Sequence, residues 1–395
     1  MDFQYSPQHE DFRSEFRSWL EANLPAELRS SEAQFEFVPE SVEVFKQRQA
    51  FQKKLFDAHW VGIWWPTEYG GRGAGLIEQV IYNEEYRRAG APALMNSSPI
   101  AYWGPTLMYW GTDEQKRRFL RPMLSGEETW CQGYSEPGAG SDLASLQTRA
   151  VDQGDFFELN GSKIWTSGAQ WADWIYLLVR TDPQAPRHTG ISCFYLDMKS
   201  PGVEVRPLVT MAGHHHFNQV FFDNVRLPRE NLVGPLHDGW RVAMTTLMFE
   251  RSISGGSGQD LQVKGLVQQA RSIELDGRPA WEHQWVRQRL AQLLIEAEAL
   301  KYTALRGLTR QLRNLPPGPE QSMLKLTGSE VGLRIAAFAS ELLGVYVLLD
   351  QPSTLADGSR WLNMILNCRM LTIAAGTSEI QRNILGERVL GLPKG

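Results

Sequence analysis

The spacing of apolar residues changes twice along this chain, and that double change limits the fold more than any single motif does. To about residue 125 the period is helical: Phe12, Phe16, Trp19 and Leu20 fall on one face behind Ser6-Pro7, a cap followed by a first-turn proline. Thr112 and Gln115 have the capping-box spacing that opens another helix, continued by Phe119 and Leu120. Between them, Trp64 to Gly73 is too rich in glycine and proline for regular structure. From 126 to 235 the runs become short and rich in β-branched and aromatic residues: Trp174–Val179, Ile191–Leu196, Val203–Leu208 and Gln219–Val225. Phe156 to Leu159 leads into Asn160-Gly161, the dipeptide of a tight hairpin. This zone reads as an antiparallel β-domain.

From residue 236 to 395 the helical period returns. Leu290, Leu293, Leu294, Ala297, Leu300, Ala304, Leu305, Leu308 and Leu312 form one stripe, and Ser322 to Leu343 repeats the habit. A helix that long needs partners on its apolar side, which implies a bundle and offers an oligomer interface. The predicted class is α+β, with domains 1–125, 126–235 and 236–395.

Charge and cysteine usage narrow the function. Forty basic against forty-five acidic residues give a formal charge of −5, which argues against phosphate-backbone binding and so against a nucleic-acid partner. Cys131, Cys193 and Cys368 form no CxxC pair, so neither a disulfide framework nor a thiolate zinc site is expected. Met1 to Pro7 lacks the basic-then-apolar pattern of a secretory signal, and the run Leu342–Leu349 is too short to cross a bilayer. No membrane span is expected, and a cytoplasmic location fits.

Four segments carry possible chemistry. In Glu136-Pro-Gly-Ala-Gly-Ser-Asp142 the glycines, Gly140 among them, let a ligand approach backbone N–H groups, while Ser135 and Ser141 offer hydroxyls; an ordinary turn is the alternative. Lys163 to Ala169 sets Trp165 beside Thr166 and Ser167, suited to stacking on a flat ring and bonding its edge, or simply a strand-end core residue. Glu250-Arg251 lies in a predicted helix, Gly239 to Ser254, among Met244, Leu247, Met248 and Phe249; a carboxylate desolvated there becomes a stronger base. In Ala374 to Gln381 a glycine stop and a Thr377 cap mark one helix ending and another starting, with N–H groups for an oxyanion. Three consecutive histidines, His214 to His216, alternate faces and read as a loop rather than a metal site.

These segments, in this order, resemble the acyl-CoA dehydrogenase family. The resemblance covers essentially the whole chain and rests on WPTEYGGRG (65–73), YSEPGAGSDLAS (134–145), NGSKIWTSGA (160–169), FNQVFFDNVRLPRENLVG (217–234) and AAGTSEIQRNILGERVLG (374–391). It implies a helical N-terminal domain, a central antiparallel β-barrel domain and a C-terminal four-helix bundle, FAD as cofactor, an acyl-CoA substrate and an electron-transferring flavoprotein as acceptor. By the family pattern Gln132, Tyr134 and Ser135 line the flavin, and Trp165, Thr166 and Ser167 pack on its other side, with Ser167 reaching N5. Gly140 and Ser141 lie near the cofactor, Ser141 also near the CoA end of the substrate, and Thr377 and Glu379 approach the cofactor from the bundle. Arg251 and Gly376 fall to the substrate.

Two departures inform. Most members carry the catalytic base immediately before the Gly-Thr of the last motif, where this chain has Ala375; a minority, including the isovaleryl-CoA and long-chain enzymes, place it on a bundle helix as Glu followed by Arg. Glu250-Arg251, with Gly255-Gly256 beyond, resembles that minority, which makes Glu250 the expected base and leaves Ala375 its backbone N–H as oxyanion donor. The family's FAD-contacting Arg-x-x-Phe-Gly position is Ile273 here, and its Gln-x-x-Gly-Gly element reads Glu341 to Val345. An isoleucine supplies neither charge nor donors to a pyrophosphate. Such losses resemble heteromeric members acting on steroid or cyclic acyl-CoAs. The expectation is α,β-desaturation to a trans-2-enoyl-CoA in a homo- or hetero-oligomer, dimer or tetramer. The alternatives are a non-catalytic or FAD-sharing subunit and an oxygen-using acyl-CoA oxidase.

Overall fold

The structure, a computed structural model, describes residues 5–29, 38–253, 258–313, 320–348 and 358–394. It divides into two compact units, Met1–Phe249 and Glu250–Gly395.

In the first unit, helix α1 (Pro7–Asn23) starts as predicted: the Ser6 hydroxyl accepts the His9 N–H at 3.3 Å, and Phe16 and Leu20 are buried. Helices α2 (Val42–Asp57), α3 (Leu76–Arg88), α4 (Gly104–Trp110) and α5 (Asp113–Ser125) follow, α5 opened by the Thr112–Gln115 capping box. The Trp64–Gly73 stretch holds only one short turn, Thr67–Tyr69. Gly71 is required there, since a Cβ would sit 2.1 Å from the Trp65 carbonyl oxygen. Between α1 and α3, the buried Glu85 accepts from Arg13, Arg17 and Arg88 at 2.7–2.9 Å.

Eight strands form one sheet: β1 (Trp130–Gly133), β2 (Arg149–Asp152), β3 (Phe156–Ser167), β4 (Trp174–Arg180), β5 (Ile191–Asp197), β6 (Val203–Leu208), β7 (Phe217–Pro228) and β8 (Leu232–Val233). The order is β6-β7-β3-β2-β4-β5-β8, with β1 on β4. Inward residues of β1–β5 and β7, among them Phe157, Leu177, Phe194 and Val220, meet in one core. The ladder is antiparallel except that β1 and β2 pair with β4 in parallel.

Asn160-Gly161 is not a hairpin turn. It lies inside β3, at a register shift against β7, and Gly161 has φ 141°. A Cβ at Gly161 would come within 2.7 Å of Thr148 Cα, so the glycine serves a bulge and a close backbone approach. The β2–β3 turn is made at Gln153-Gly154-Asp155 instead, where the Gln153 N–H reaches the Phe156 carbonyl at 2.9 Å. Trp103 stacks on Tyr176 of β4 at 4.2 Å and 4°, so the N-terminal helices share one core with the sheet.

The chain leaves the sheet through α6 (Gly239–Ile253). The second unit contains α7 (Gln259–Ser272), a small hairpin β9 (Glu274–Leu275) and β10 (Arg278–Pro279), α8 (Gln284–Leu312), α9 (Glu320–Leu343), α10 (Gly358–Asn367) and α11 (Ser378–Ile384). The predicted α8 stripe packs through Leu290, Leu293 and Leu300 in one core with Val331, Ile335 and Phe338 of α9, and Ala297 is buried as well. Towards its end the stripe opens, with Leu312 exposed. Among the described residues, Gln321–Leu348 is long and apolar enough to cross a membrane by length and composition, but half of it is buried within the protein. It also carries Lys325, Glu330, Arg334 and Glu341, which suits a core helix.

Candidate functional site

The glycine-rich loop is held from beneath. The carboxylate of Glu136 accepts the N–H groups of Gln147 and Thr148 at 2.7 and 2.9 Å and the Lys163 ammonium at 2.8 Å. Lys163, fully buried on β3, also donates to the Tyr134 carbonyl at 3.2 Å, and the Ile164 N–H reaches the Ser135 carbonyl at 2.9 Å. Burial pushes the Glu136 carboxyl up, but the Lys163 charge and the bonds from Gln147 and Thr148 outweigh it and hold it below its ordinary value. Burial pulls the Lys163 ammonium down to about 8 against the Glu136 charge, still above neutral, so the pair is ionised at pH 7 and locks Tyr134-Ser135 to Lys163-Ile164. Above it, Gly138 and Gly140 face open space, Ser141 is exposed, and Asp142 pairs with Arg187. A cleft of about 460 Å³ lies beside the loop, between Pro137, Gln147, Ser162 and Phe221.

At the end of β3 a second register shift, between Lys163 and Thr166, turns Trp165 out with φ 59° and leaves it 59% exposed. Ser167 is exposed too. Thr166 is not with them: it is fully buried, because strand side chains alternate. The expected trio is thus split, with only Trp165 and Ser167 presenting side chains on the open side. The Thr166 carbonyl accepts Asn218 Nδ2 at 3.1 Å, while its hydroxyl finds no partner. Gln132 and Ser135 are half-buried. An outward indole held by positive φ and an exposed serine two residues on fit a flat heteroaromatic group such as a flavin, the indole by stacking and the serine by bonding its edge.

Tyr134 is buried, its ring edge-on to Tyr176 and its phenol donating to Thr246 of α6 at 3.1 Å. Val242, Ala243 and Thr246 are the buried side of α6. Glu250 follows Thr246 by four positions, one turn along the same face, and is half-buried. A separate groove of about 380 Å³ lies between Tyr109 and Trp110 at the end of α4 and Arg241, Met244 and Met248, which project from the opposite side of α6. The backbone of Arg251 is helical; its side chain and Gly255-Gly256 lie outside the described residues.

In the second unit Ala375 and Gly376 both take left-handed backbone, φ 54° and 90°. The Ala375 carbonyl accepts Gln381 Nε2 at 3.2 Å, and the Gly376 carbonyl accepts Lys325 Nζ at 2.6 Å. Thr377 caps α11 as expected, spending its hydroxyl on the Ile380 N–H at 3.2 Å. Glu379 is exposed, and hydrogen bonds from its own N–H and from Thr377 hold its carboxyl low. Burial lowers the Lys325 ammonium against the opposing charges of Glu330, Glu379 and Glu250. One lysine thus joins three predicted positions: Gly376 by a hydrogen bond, Glu250 and Glu379 by charge.

Ile273 ends α7 inside the bundle core, its N–H on the Gln269 carbonyl. Glu341 and Val345 are exposed. His214 pairs with Glu40, and no group of metal-ligating side chains occurs among the described residues. Sequence reasoning passed over Lys163, Thr246 and Lys325. The available signal was a lysine at an inward position of an alternating strand and another within the apolar run of α9, each of which demands a partner.

Three family domains match in order: the Acyl-CoA dehydrogenase N-terminal domain over residues 6–127, the middle domain over 131–225 and the C-terminal domain over 237–390. The acyl-CoA dehydrogenase IpdE1 of Mycobacterium tuberculosis is 38% identical over 391 residues, 98% of either chain.

The chain belongs to the acyl-CoA dehydrogenase family.

Among solved structures, the ChsE4-ChsE5 complex from Mycobacterium tuberculosis contains a chain 33% identical to this one, matched over 100% of both with a TM-score of 0.85. The steroid ACAD Tcur3481-Tcur3483 gives 32% identity, a TM-score of 0.86 and 100% coverage of both. The protein is accordingly a member of a family of flavin-dependent oxidoreductases and has the acyl-CoA dehydrogenase fold, with helical N- and C-terminal parts around a middle sheet.

Proposed function

We propose that this acyl-CoA dehydrogenase binds FAD and desaturates an acyl-CoA to the trans-2-enoyl-CoA with Glu250 as the α-proton base. The observation that carries this reading is the placement of Glu250 on the buried-side stripe of α6, one turn past the Tyr134–Thr246 bond, with Ala375 unable to take a proton. Bound FAD supplies a two-electron acceptor for the β-hydride. Trp165 and Ser167 would hold its ring, with Gln132, Tyr134 and Ser135 on the other segment and Gly140 and Ser141 alongside. The Ala375 N–H donates to the thioester oxygen as enolate character develops, and Glu250, half-desolvated, accepts the proton. By the family pattern, Gly376 would fall to the substrate and Thr377 and Glu379 to the cofactor, while the Arg251 side chain, also expected at the substrate, lies outside the described residues.

The domain division 1–125, 126–235 and 236–395, a cytoplasmic location and electron transfer to an electron-transferring flavoprotein belong to the same reading. So does a bulky branched or cyclic acyl group, supported by the resemblance to a steroid ACAD. The test is an anaerobic screen of flavin bleaching with straight, branched and alicyclic acyl-CoAs; bleaching by none of them refutes the reading.

Ile273 favours a second reading, a subunit that shares FAD with a different chain. Its side chain is committed to the bundle core, and relatives have been solved as complexes of two differently named chains. Purified alone, a FAD-sharing subunit is colourless and gains the flavin spectrum only with its partner; a self-sufficient enzyme is yellow from the start.

A further inference from the structure

Ala375 is an L-residue in left-handed backbone, a conformation that persists only where surrounding contacts over-determine it. The contacts are two side-chain donors. Gln381, buried on α11, holds the Ala375 carbonyl at 3.2 Å, and Lys325 holds the Gly376 carbonyl at 2.6 Å. Lys325 also donates to the Leu371 carbonyl at 3.0 Å, so one ammonium bridges the turn Cys368–Thr372 to the start of α11. An ammonium has three donors and no acceptor, which suits it to bind two carbonyl oxygens at once. Gly376 adds its own constraint: a Cβ there would lie 2.8 Å from Gln381 Nε2, so the clamp closes only on glycine. With both carbonyls fixed, the trans peptide planes that follow Ala375 and Gly376 are fixed, and the Ala375 N–H, on the plane before them, is set by the left-handed φ of Ala375.

The hydrogen bonds of Lys325 go to backbone carbonyls. It is 6% exposed, and its charge interacts with Glu250, Glu330 and Glu379. Glu330 in turn accepts from Ser378 at 2.9 Å and Arg382 at 3.2 Å, which ties the first turn of α11 to α9. A lysine serving only the bundle core would be satisfied by any two carbonyls. This one grips the two residues on either side of the break before α11 and feels the expected base.

We propose that Lys325 is a positioning residue: it clamps the Ala375–Gly376 turn so that the backbone there can stabilise the thioester oxygen, and it couples that turn electrostatically to Glu250. The proposal rests on the dehydrogenase reading above.

The test compares wild type with Lys325→Met, which removes the donors, and Lys325→Gln, which keeps one. Two quantities are read on the purified enzyme. The first is amide hydrogen exchange across residues 371–384, which needs no turnover. The second is kcat and KM with whichever of butanoyl-, 3-methylbutanoyl- and cyclohexanecarbonyl-CoA bleaches the wild type fastest, rates being normalised to bound flavin. The expected result for Lys325→Met is at least tenfold faster exchange over 371–377 and a kcat lower by about a hundredfold, the loss typical of one oxyanion donor, with KM within threefold. Lys325→Gln falls between. Unchanged exchange, or unchanged kcat per flavin despite faster exchange, overturns the proposal, as does a change confined to KM. If Lys325→Met does not fold, Lys325→Gln decides by the same criteria. A wild type that no thioester bleaches brings down the dehydrogenase reading and this role with it, while the exchange data still report whether Lys325 holds the turn.

Discussion

The phenol of Tyr134 donates to the hydroxyl of Thr246 across 3.1 Å, fastening the exit of β1 to α6 one turn ahead of Glu250. The Thr246 hydroxyl in turn donates to the Val242 carbonyl at 3.2 Å, so the bond completes a buried chain. Tyr134→Phe keeps the ring against Tyr176 and removes only the hydrogen bond. The expected cost is about 1 kcal/mol of unfolding free energy, measured by urea denaturation. A loss within error would show that the phenol contributes no fastening.

The buried Lys163–Glu136 pair makes a sharper prediction. Lys163→Met leaves the Glu136 carboxylate without its cation, and removing one member of a buried pair costs about 3–5 kcal/mol. Lys163→Met with Glu136→Gln removes the stranded charge and recovers a large part of that loss. The comparison is read from denaturation midpoints; equal stability of the single and double variants contradicts the account.

Glu85 gives the pH dependence. Burial raises its carboxyl, but Arg17, Arg88 and Arg13 outweigh that and bring it to about 2, from an ordinary 4.5. A depressed folded-state value means the stabilisation is fully present above about pH 4.5 and is lost as pH falls towards 2. With the half-exposed Arg17 and Arg88 discounted for solvent screening, it is on the order of 2 kcal/mol. Wild type should exceed Glu85→Gln by that amount at pH 7, and the gap should close by about pH 2. A gap that does not narrow with acid would remove the carboxylate from the explanation.

Much of this architecture was legible in the sequence because it depends on local periods. The Ser6 and Thr112 caps, the α8 stripe and the strands at Trp174, Ile191 and Val203 need only neighbours within a few positions. Asn160-Gly161 misled because a dipeptide that closes hairpins also serves a bulge, and the neighbour that Gly161 must approach there, Thr148, is thirteen residues away. Parallel pairing of β1 with β4 depends equally on a distant partner. In the site, motif order located the segments but not the facing of their side chains. Thr166 turned inward because the second register shift in β3 sets the alternation of its last residues. Lys163 and Lys325 were legible only as inward cations; their partners, Glu136 and the carbonyls of Leu371 and Gly376, become visible only in three dimensions.

The role of Glu250 is the central claim, and rapid anaerobic mixing of Glu250→Gln with a thioester that bleaches the wild type tests it most directly. The variant should bind flavin, keep its visible spectrum and melt within about a degree of wild type, since a half-buried Gln replaces Glu at constant volume. Its bleaching rate should fall by about a thousandfold or more, within the range that a positioned general base contributes. Bleaching at the wild-type rate would mean that another group takes the proton and that Glu250 is an ordinary helix residue.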